Sequence, residues 1–545
     1  MYTWIFACGI IFAFYNAWGG GANDCANSFA TSVGAKVLTL KQAIIIASIF
    51  EFTGAVLMGS HVTDTVRKKI VSENIFNDDP GALMLGMLCA DLSSAIWLTV
   101  ATYLKWPVST THSIIGAIVG FCLVYGGGDA IVWDKIGFIV LSWFISPLVA
   151  GIFSFILFKI LIKYVFETQN SFRNTKRIYP VLTFIVFFIN SLFIIYKGSP
   201  QFDLDDMPFW QCFLISFGIG TFTALVSWYF YLPYATKRVE RFFGNEENNE
   251  NVIEEGVTNV RSVSYRNVLR LEGSNEEETT TNEVNVVETD LDEFIQTEEN
   301  LELQMEDGEE NENVVENENV VENDNFIYNS ELSIDDNINN SNEVTLRLRK
   351  RKEDQQVEEL HSRAFEIDPK SDKLCSWLQI FTSCFSSFSH GSNDVANAIA
   401  PLATIFAIYQ TDEVSRSSVV PIWILVLGGV GIVFGLATWG YKIINRIGRD
   451  LTKISPSRGF IIELAAATTI IIASRSEMPV STTHCQVGSV VGCGLTAGKK
   501  NVKWSLLRGI LFSWFITLPI TGFLSAALFS WGYYSPSTLT NQTMI

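Results

Sequence analysis

The chain has 545 residues, of which 48% are hydrophobic, and its formal net charge is −19. Residues 246–343 hold 30 acidic residues against three arginines, a charge of −27, so the remainder carries about +8 (−19 minus −27). That remainder is a series of long apolar runs, which excludes a single soluble core because a membrane span needs about 20 mostly apolar residues.

The apolar runs predict an all-α polytopic membrane protein with about 12 transmembrane helices. Four of the runs, the first, fourth, eighth and eleventh, are interrupted by polar or glycine-rich motifs. The predicted spans are residues 2–34, 42–60, 82–104, 107–125, 131–163, 179–197, 210–233, 376–408, 420–441, 459–474, 479–497 and 505–532.

Lysine and arginine are concentrated in alternate loops, which predicts that both termini lie outside and that the central loop is cytoplasmic. This loop is rich in Glu and Asn and cannot bury enough apolar surface to fold, so we expect it to be disordered. The predicted parts are transmembrane repeat 1 (1–165), connecting transmembrane helices (166–241), the acidic disordered loop (242–374), transmembrane repeat 2 (375–532) and an extracellular C-terminal tail (533–545).

Two polar motifs occur twice, in the same order, within the apolar part of the chain. Gly-Ala-Asn-Asp-Cys-Ala-Asn at 21–27 returns as Gly-Ser-Asn-Asp-Val-Ala-Asn at 391–397. Pro-Val-Ser-Thr-Thr-His at 107–112 returns unchanged at 479–484. An acidic residue, Asp91 or Glu463, precedes each proline by 16 positions. The chain is therefore predicted to contain an internal duplication.

The predicted span count brings the first Asn-Asp motif into the membrane from outside and the second from inside, so the repeats are inverted. Inverted repeats with broken helices are a transporter architecture, with the binding site near the membrane midplane. We expect Gly19–Gly21 and Gly391 to unwind one pair of helices, and Pro107 and Pro479 to begin half-helices.

Three consecutive hydroxyl residues follow each proline, at the expected start of a half-helix. The free N–H groups and the positive dipole end of a helix N-terminus favour an anion. Helix capping explains one such residue but not three in a row, twice. The sequence therefore predicts an oxyanion site formed by Ser109, Thr110, Thr111, Ser481, Thr482 and Thr483.

The Asn-Asp motifs place carboxylates inside the membrane, which is costly and indicates function. Carboxylate, amide and unwound backbone oxygens suit Na⁺. The acidic residues Glu51, Asp91 and Glu463 are further candidates for coupling, with structural hydrogen bonding as the alternative. His112 and His484 follow the hydroxyl trios and could sense pH or donate a hydrogen bond, whereas the histidines at 61, 361 and 390 carry no comparable signal.

These motifs resemble the signatures of the inorganic phosphate transporter (PiT) family of sodium–phosphate symporters, with Cys25 where the signature has Val. The resemblance covers about 1–235 and 375–532. It implies a plasma-membrane importer that carries phosphate with Na⁺ by alternating access, with Na⁺ held at Asp24 and Asp394. The implied phosphate ligands are Asn23, Asn393 and the six hydroxyls, and the implied sodium ligands are Asp24, Asn27, Asp394 and Asn397.

Other functions stay open at this stage. Proton-coupled phosphate or sulfate transport would use the same chemistry, and the acidic loop could serve a phosphate sensor or bind a regulatory partner. A membrane enzyme with Ser109 or Ser481 as nucleophile is disfavoured, since catalysis does not require two mirrored nucleophiles. The nine cysteines include no Cys-x-x-Cys pair, so no structural metal or cofactor is predicted beyond Na⁺ as coupling ion. The predicted partners are phosphate, Na⁺ and the lipid bilayer, without nucleic acid, and a homodimer is left open.

Overall fold

Helices account for most of the described residues in the computed structural model, and these residues contain no strand, only an isolated bridge between Val71 and Ile131. The predicted all-α architecture is thus confirmed. The side chain of Asn27 and residues 245–356, which include most of the predicted acidic loop, lie outside this description. The described residues are 2–25, 27–196, 207–244, 357–414, 420–476, 478 and 480–535.

The first half begins with a helix that ends in a π-helical turn at Gly21–Cys25, where the first Asn-Asp motif lies. The helix that starts at Pro80 is capped by Asp79, whose side chain accepts a hydrogen bond from the backbone N–H of Ala82. The helices are Thr3–Gly20 (α1), Asn27–Gly34 (α2), Leu40–Lys69 (α3), Pro80–Tyr103 (α4), Thr110–Gly126 (α5), Trp133–Leu161 (α6), Ser171–Ile195 (α7) and Phe209–Val226 (α8).

After a short helix, α9, the second half repeats the order of α1 to α6, with α10 in the place of α1 and α2. Its second long helix is divided, so that α11 and α12 together correspond to α3. The helices are Pro369–Leu374 (α9), Ser376–Thr411 (α10), Ile422–Trp439 (α11), Tyr441–Asp450 (α12), Pro456–Arg475 (α13), Thr482–Leu495 (α14) and Trp504–Tyr534 (α15).

Corresponding helices of the two halves exchange partners. Helix α5 of the first half packs against α15 of the second, and α14 of the second packs against α6 of the first. In the same way α3 packs against α10, and α11 packs against α1 and its π turn. Reciprocal contacts of this kind are what a two-fold relation between the halves produces, as the duplicated motifs predict.

Glycines permit these exchanged helices to approach closely, which is how helices associate in a membrane. A Cβ at Gly391 would collide with the carbonyl oxygen of Glu51, and one at Gly54 would collide with that of Phe388. Helix α10 is continuous through this point. The expectation that Gly391 unwinds the helix is therefore wrong: the glycine lets α3 and α10 touch.

Within the described part of the chain, ten helices are long and apolar enough to cross a membrane, and they match ten of the 12 predicted spans. The other two predicted spans correspond to α10, which has 36 residues but a polar middle, and α14, which has only 14. Large apolar side chains such as Phe144, Phe222 and Phe515 are exposed on the outside of the bundle. An apolar outer surface of this extent is typical of a face covered by lipid.

The end of the predicted acidic loop differs from the expectation. Residues 357–374 are described, and Val357 and Ile367 are buried among the helices. The Asp372 carboxylate accepts hydrogen bonds from the backbone N–H of Ser457, at 2.9 Å, and from its hydroxyl, so it caps the first turn of α13. A few isolated apolar residues within a charged segment gave too weak a signal to predict this packing.

Candidate functional site

The N-termini of α5 and α14 meet in the interior. The hydroxyl of Thr111 donates to the carbonyl of Val480 at 3.3 Å, and the hydroxyl of Thr483 donates to the carbonyl of Val108 at 3.4 Å. Each helix start therefore contacts the residue just before the other's cap. The two ends face each other, as the paired motifs predict.

The two serines of the hydroxyl trios are helix caps. Ser109 precedes the first turn of α5 and accepts from the backbone N–H of His112 at 3.3 Å. Ser481 does the same for the N–H of His484 at 3.2 Å. Capping thus accounts for the serines, with a value of about 1 kcal/mol each, and leaves the threonines as the hydroxyls that point to other groups.

The first asparagine of each Asn-Asp motif is hydrogen-bonded to the loop before α5 or α14. Asn23 accepts from the backbone N–H of Val108 at 2.9 Å and donates to the carbonyl of Trp106 at 2.9 Å. Asn393 donates to the carbonyl of Val480 at 3.0 Å. The two motifs of each repeat are therefore linked directly, which explains why they occur together.

The aspartates and the threonines form one cluster rather than separate ligand sets. Asp24 accepts from the N–H and hydroxyl of Thr110, at 3.3 and 3.1 Å, and also from the hydroxyl of Thr483. Asp394 accepts from the hydroxyl of Thr482 at 2.5 Å. Both aspartates are buried. Asp24 bridges the two helix N-termini, so carboxylate and hydroxyl chemistry share one centre.

Asn397 joins this centre from α10. Its amide nitrogen lies 3.0 Å from the hydroxyl of Thr110, 3.1 Å from that of Thr111 and 3.0 Å from the carboxylate of Asp394. The corresponding residue of the first repeat, Asn27, begins α2, and its side chain lies outside the described part of the chain.

Sequence reasoning missed His390, which lies at the middle of the centre. Its Nδ1 is 2.8 Å from a carboxylate oxygen of Glu51, and its Nε2 is 2.8 Å from Asp394 and 4.0 Å from Asp24. Glu51 also accepts from the hydroxyl of Ser387 at 2.7 Å. His390 precedes Asp394 by four residues, so the two side chains lie on one face of the helix. This spacing is the feature of the sequence that could have indicated a role for His390.

The remaining acidic candidates lie further from this cluster. Asp91 accepts from the amide of Asn16 at 2.9 Å, and the same amide reaches the carbonyl of Asn397 at 3.3 Å. Asn16, also missed, thus connects Asp91 to the centre. Glu463 accepts from the hydroxyl of Thr31 at 2.6 Å. Of the three candidates, only Glu51 has a partner, His390, within the aspartate cluster.

A small cavity opens beside these side chains, between α1, α5, α10 and α11. Paired carboxylates, paired helix N-termini and a cavity shared by two repeats define a secondary transporter by their architecture. The cavity is lined by Asn16, Ala17, Gly20, Thr110, His390, Asp394, Asn397, Ala398 and Ile432.

Comparison with known proteins agrees with this class. Residues 20–525 match the model of the phosphate transporter family. The chain is 35% identical to human sodium-dependent phosphate transporter 1, over 97% of this chain and 95% of that protein, and 33% identical to the rat protein of that name, over 96% and 95%. A solved structure titled "The sodium-dependent phosphate transporter" superposes with a TM-score of 0.69 and 28% identity, over 98% of this chain and 100% of that one.

The chain belongs to the phosphate transporter family. It is a multi-pass membrane protein and a transporter rather than an enzyme.

Proposed function

We propose that this protein imports inorganic phosphate together with Na⁺ by alternating access between the two sides of the membrane. The observation that carries the proposal is the single centre in which Asp24 and Asp394 meet the N-termini of α5 and α14. One part of this centre suits a cation and the other an anion, and the two are in contact.

The charges of the centre explain why the two solutes would travel together. Asp24, Asp394 and Glu51 surround one imidazole, that of His390. A phosphate anion placed beside these carboxylates would be strongly repelled in a medium of low dielectric constant. Na⁺ bound to the carboxylates removes that repulsion. Phosphate therefore binds only after, or with, Na⁺, which is the thermodynamic requirement for coupled transport.

The residues divide into two groups under this proposal. Na⁺ would be held by Asp24, Asp394 and Asn397. Asn27 would be the fourth ligand, because it occupies the position of Asn397 in the first copy of the motif. Phosphate would be bound by the threonine hydroxyls and N–H groups of Thr110, Thr111, Thr482 and Thr483. Asn23, Asn393, Ser109 and Ser481 contribute by holding the two helix starts in place.

Uptake of radiolabelled phosphate into proteoliposomes containing the purified protein tests the proposal. An inward Na⁺ gradient should drive accumulation, and an equal K⁺ gradient should not, because the aspartate and threonine oxygens of the centre lie close together and suit the smaller Na⁺ ion. Liposomes without protein give the background.

Two outcomes of this experiment would contradict the proposal. Uptake driven by a pH gradient and indifferent to Na⁺ would assign proton coupling. Accumulation of radiolabelled sulfate with none of phosphate would assign a sulfate carrier, since helix N-termini hold either tetrahedral anion.

We also propose a plasma-membrane location with both termini outside. The basic residues Lys105, Lys499 and Lys500 lie in loops that this orientation places in the cytoplasm. An epitope tag at either terminus should then be labelled by antibody on intact cells, and a tag inserted in residues 246–343 should require permeabilisation. The reverse labelling pattern would invert the orientation.

A further inference from the structure

A second cluster of side chains that offer metal-ligand atoms adjoins the aspartate centre. Cys25 ends the π turn after α1, Glu51 lies on α3 and His390 on α10. The sulfur, a carboxylate oxygen and a ring nitrogen of these residues lie within 4.8 Å of one another, and all three side chains are buried. Three separate helical segments therefore bring three different ligand types to one point.

The proposed transport of Na⁺ and phosphate makes no use of the thiol. Cys25 occupies the position where the family signature that its motif resembles has valine, which offers no ligand atom. The chain thus combines a sulfur ligand of its own with the glutamate and the histidine that flank it. Neither Na⁺ nor phosphate favours sulfur, whereas soft divalent cations do.

We propose that Cys25, Glu51 and His390 form a site for a thiophilic divalent cation of the Zn²⁺ and Cd²⁺ class, and that occupancy of this site blocks transport. Thiolate, imidazole and carboxylate are the protein ligands of zinc, and three of them plus one water complete a tetrahedral site. Binding replaces the S–H bond of Cys25 with a metal–sulfur bond. The displaced proton leaves to solvent, and no electron is transferred.

The position of the site explains the block. His390 lies 2.8 Å from Asp394, so a divalent cation on this histidine places two positive charges beside the proposed Na⁺ site. The same cation ties the π turn and α3 of the first repeat to α10 of the second. Alternating access requires the repeats to move against each other. The inhibition rests on the proposed transport function, whereas the binding does not.

Co²⁺ binding to the purified protein tests the site without transport, because a Co²⁺–thiolate bond gives a charge-transfer band in the near ultraviolet. The wild-type protein should show this band, and Cd²⁺ should displace it. Cys25→Val should remove it. Cys485→Ala, which deletes a buried thiol next to His484 but outside the cluster, should retain it. A band that persists in Cys25→Val, or no band in the wild type, overturns the proposal.

Phosphate uptake in the presence of free Cd²⁺ then tests the block. Cys25→Val should raise the inhibitory Cd²⁺ concentration at least about 100-fold, because loss of an outer-shell partner alone costs about 10–100-fold in metal affinity. Mg²⁺, which prefers oxygen ligands, should not inhibit. Equal inhibition of Cys25→Val and wild type would place the metal elsewhere, for example at Asp24, His390 and Asp394. If the protein took up no phosphate even without added metal, the proposed function would be contradicted. The Co²⁺ binding result would then test the metal site by itself.

Discussion

Replacement of Asp24 or Asp394 by asparagine is expected to abolish Na⁺-driven phosphate accumulation while leaving the fold intact. Asparagine keeps the shape and one oxygen acceptor for the threonine hydroxyls that surround each aspartate. It removes the negative charge that binds the cation. Two unit charges about 4 Å apart interact by about 4 kcal/mol at an effective dielectric constant of about 20, which corresponds to a loss of roughly 1,000-fold in apparent Na⁺ affinity.

The Na⁺ dependence of phosphate uptake by reconstituted protein provides the measurement. Asp79→Asn is the matched control, because asparagine also caps a helix and Asp79 caps α4 outside the centre. This variant should keep the wild-type Na⁺ dependence. An unchanged apparent Na⁺ affinity in both Asp24→Asn and Asp394→Asn would remove these residues from the cation site.

Substitution of Gly391 by alanine is expected to destabilise the protein by about 3 kcal/mol, at the upper end of the range for overpacked sites. The added methyl group would meet the backbone carbonyl of Glu51, which cannot rotate away as a side chain could. Helices α3 and α10 would have to separate, and this separation breaks the contact between Glu51 and His390.

Gly137→Ala in α6 serves as the control, because no atom lies within 4 Å of a Cβ at Gly137. There alanine should stabilise the helix by about 0.5–1 kcal/mol. Thermal unfolding of both detergent-purified variants should therefore shift in opposite directions relative to the wild type. A similar shift in the two variants would show that the contact between α3 and α10 is not tight.

The sequence predicted the membrane helices from their apolar runs and the facing helix ends from the repeated motifs. Apolar runs predicted the helices, because backbone groups in lipid must pair within their own segment. The repeated motifs predicted that the N-termini of α5 and α14 face each other, which the contacts of Thr111 and Thr483 show.

What escaped prediction depends on contacts between the halves. His390 has no histidine counterpart in the first repeat, so the repeat comparison gave it no weight, and its partner Glu51 lies on a helix of the other half. Gly391 looks like a helix breaker in the sequence, since glycine weakens helices. Its need for close packing is evident only once α3 lies beside it.

The exchanged helices have a consequence for how the two halves depend on each other. Each half packs the helix that follows its hydroxyl trio, α5 or α14, against a long helix of the other half. Neither half can therefore complete its own core, and the pair is in effect an obligate dimer folded within a single chain.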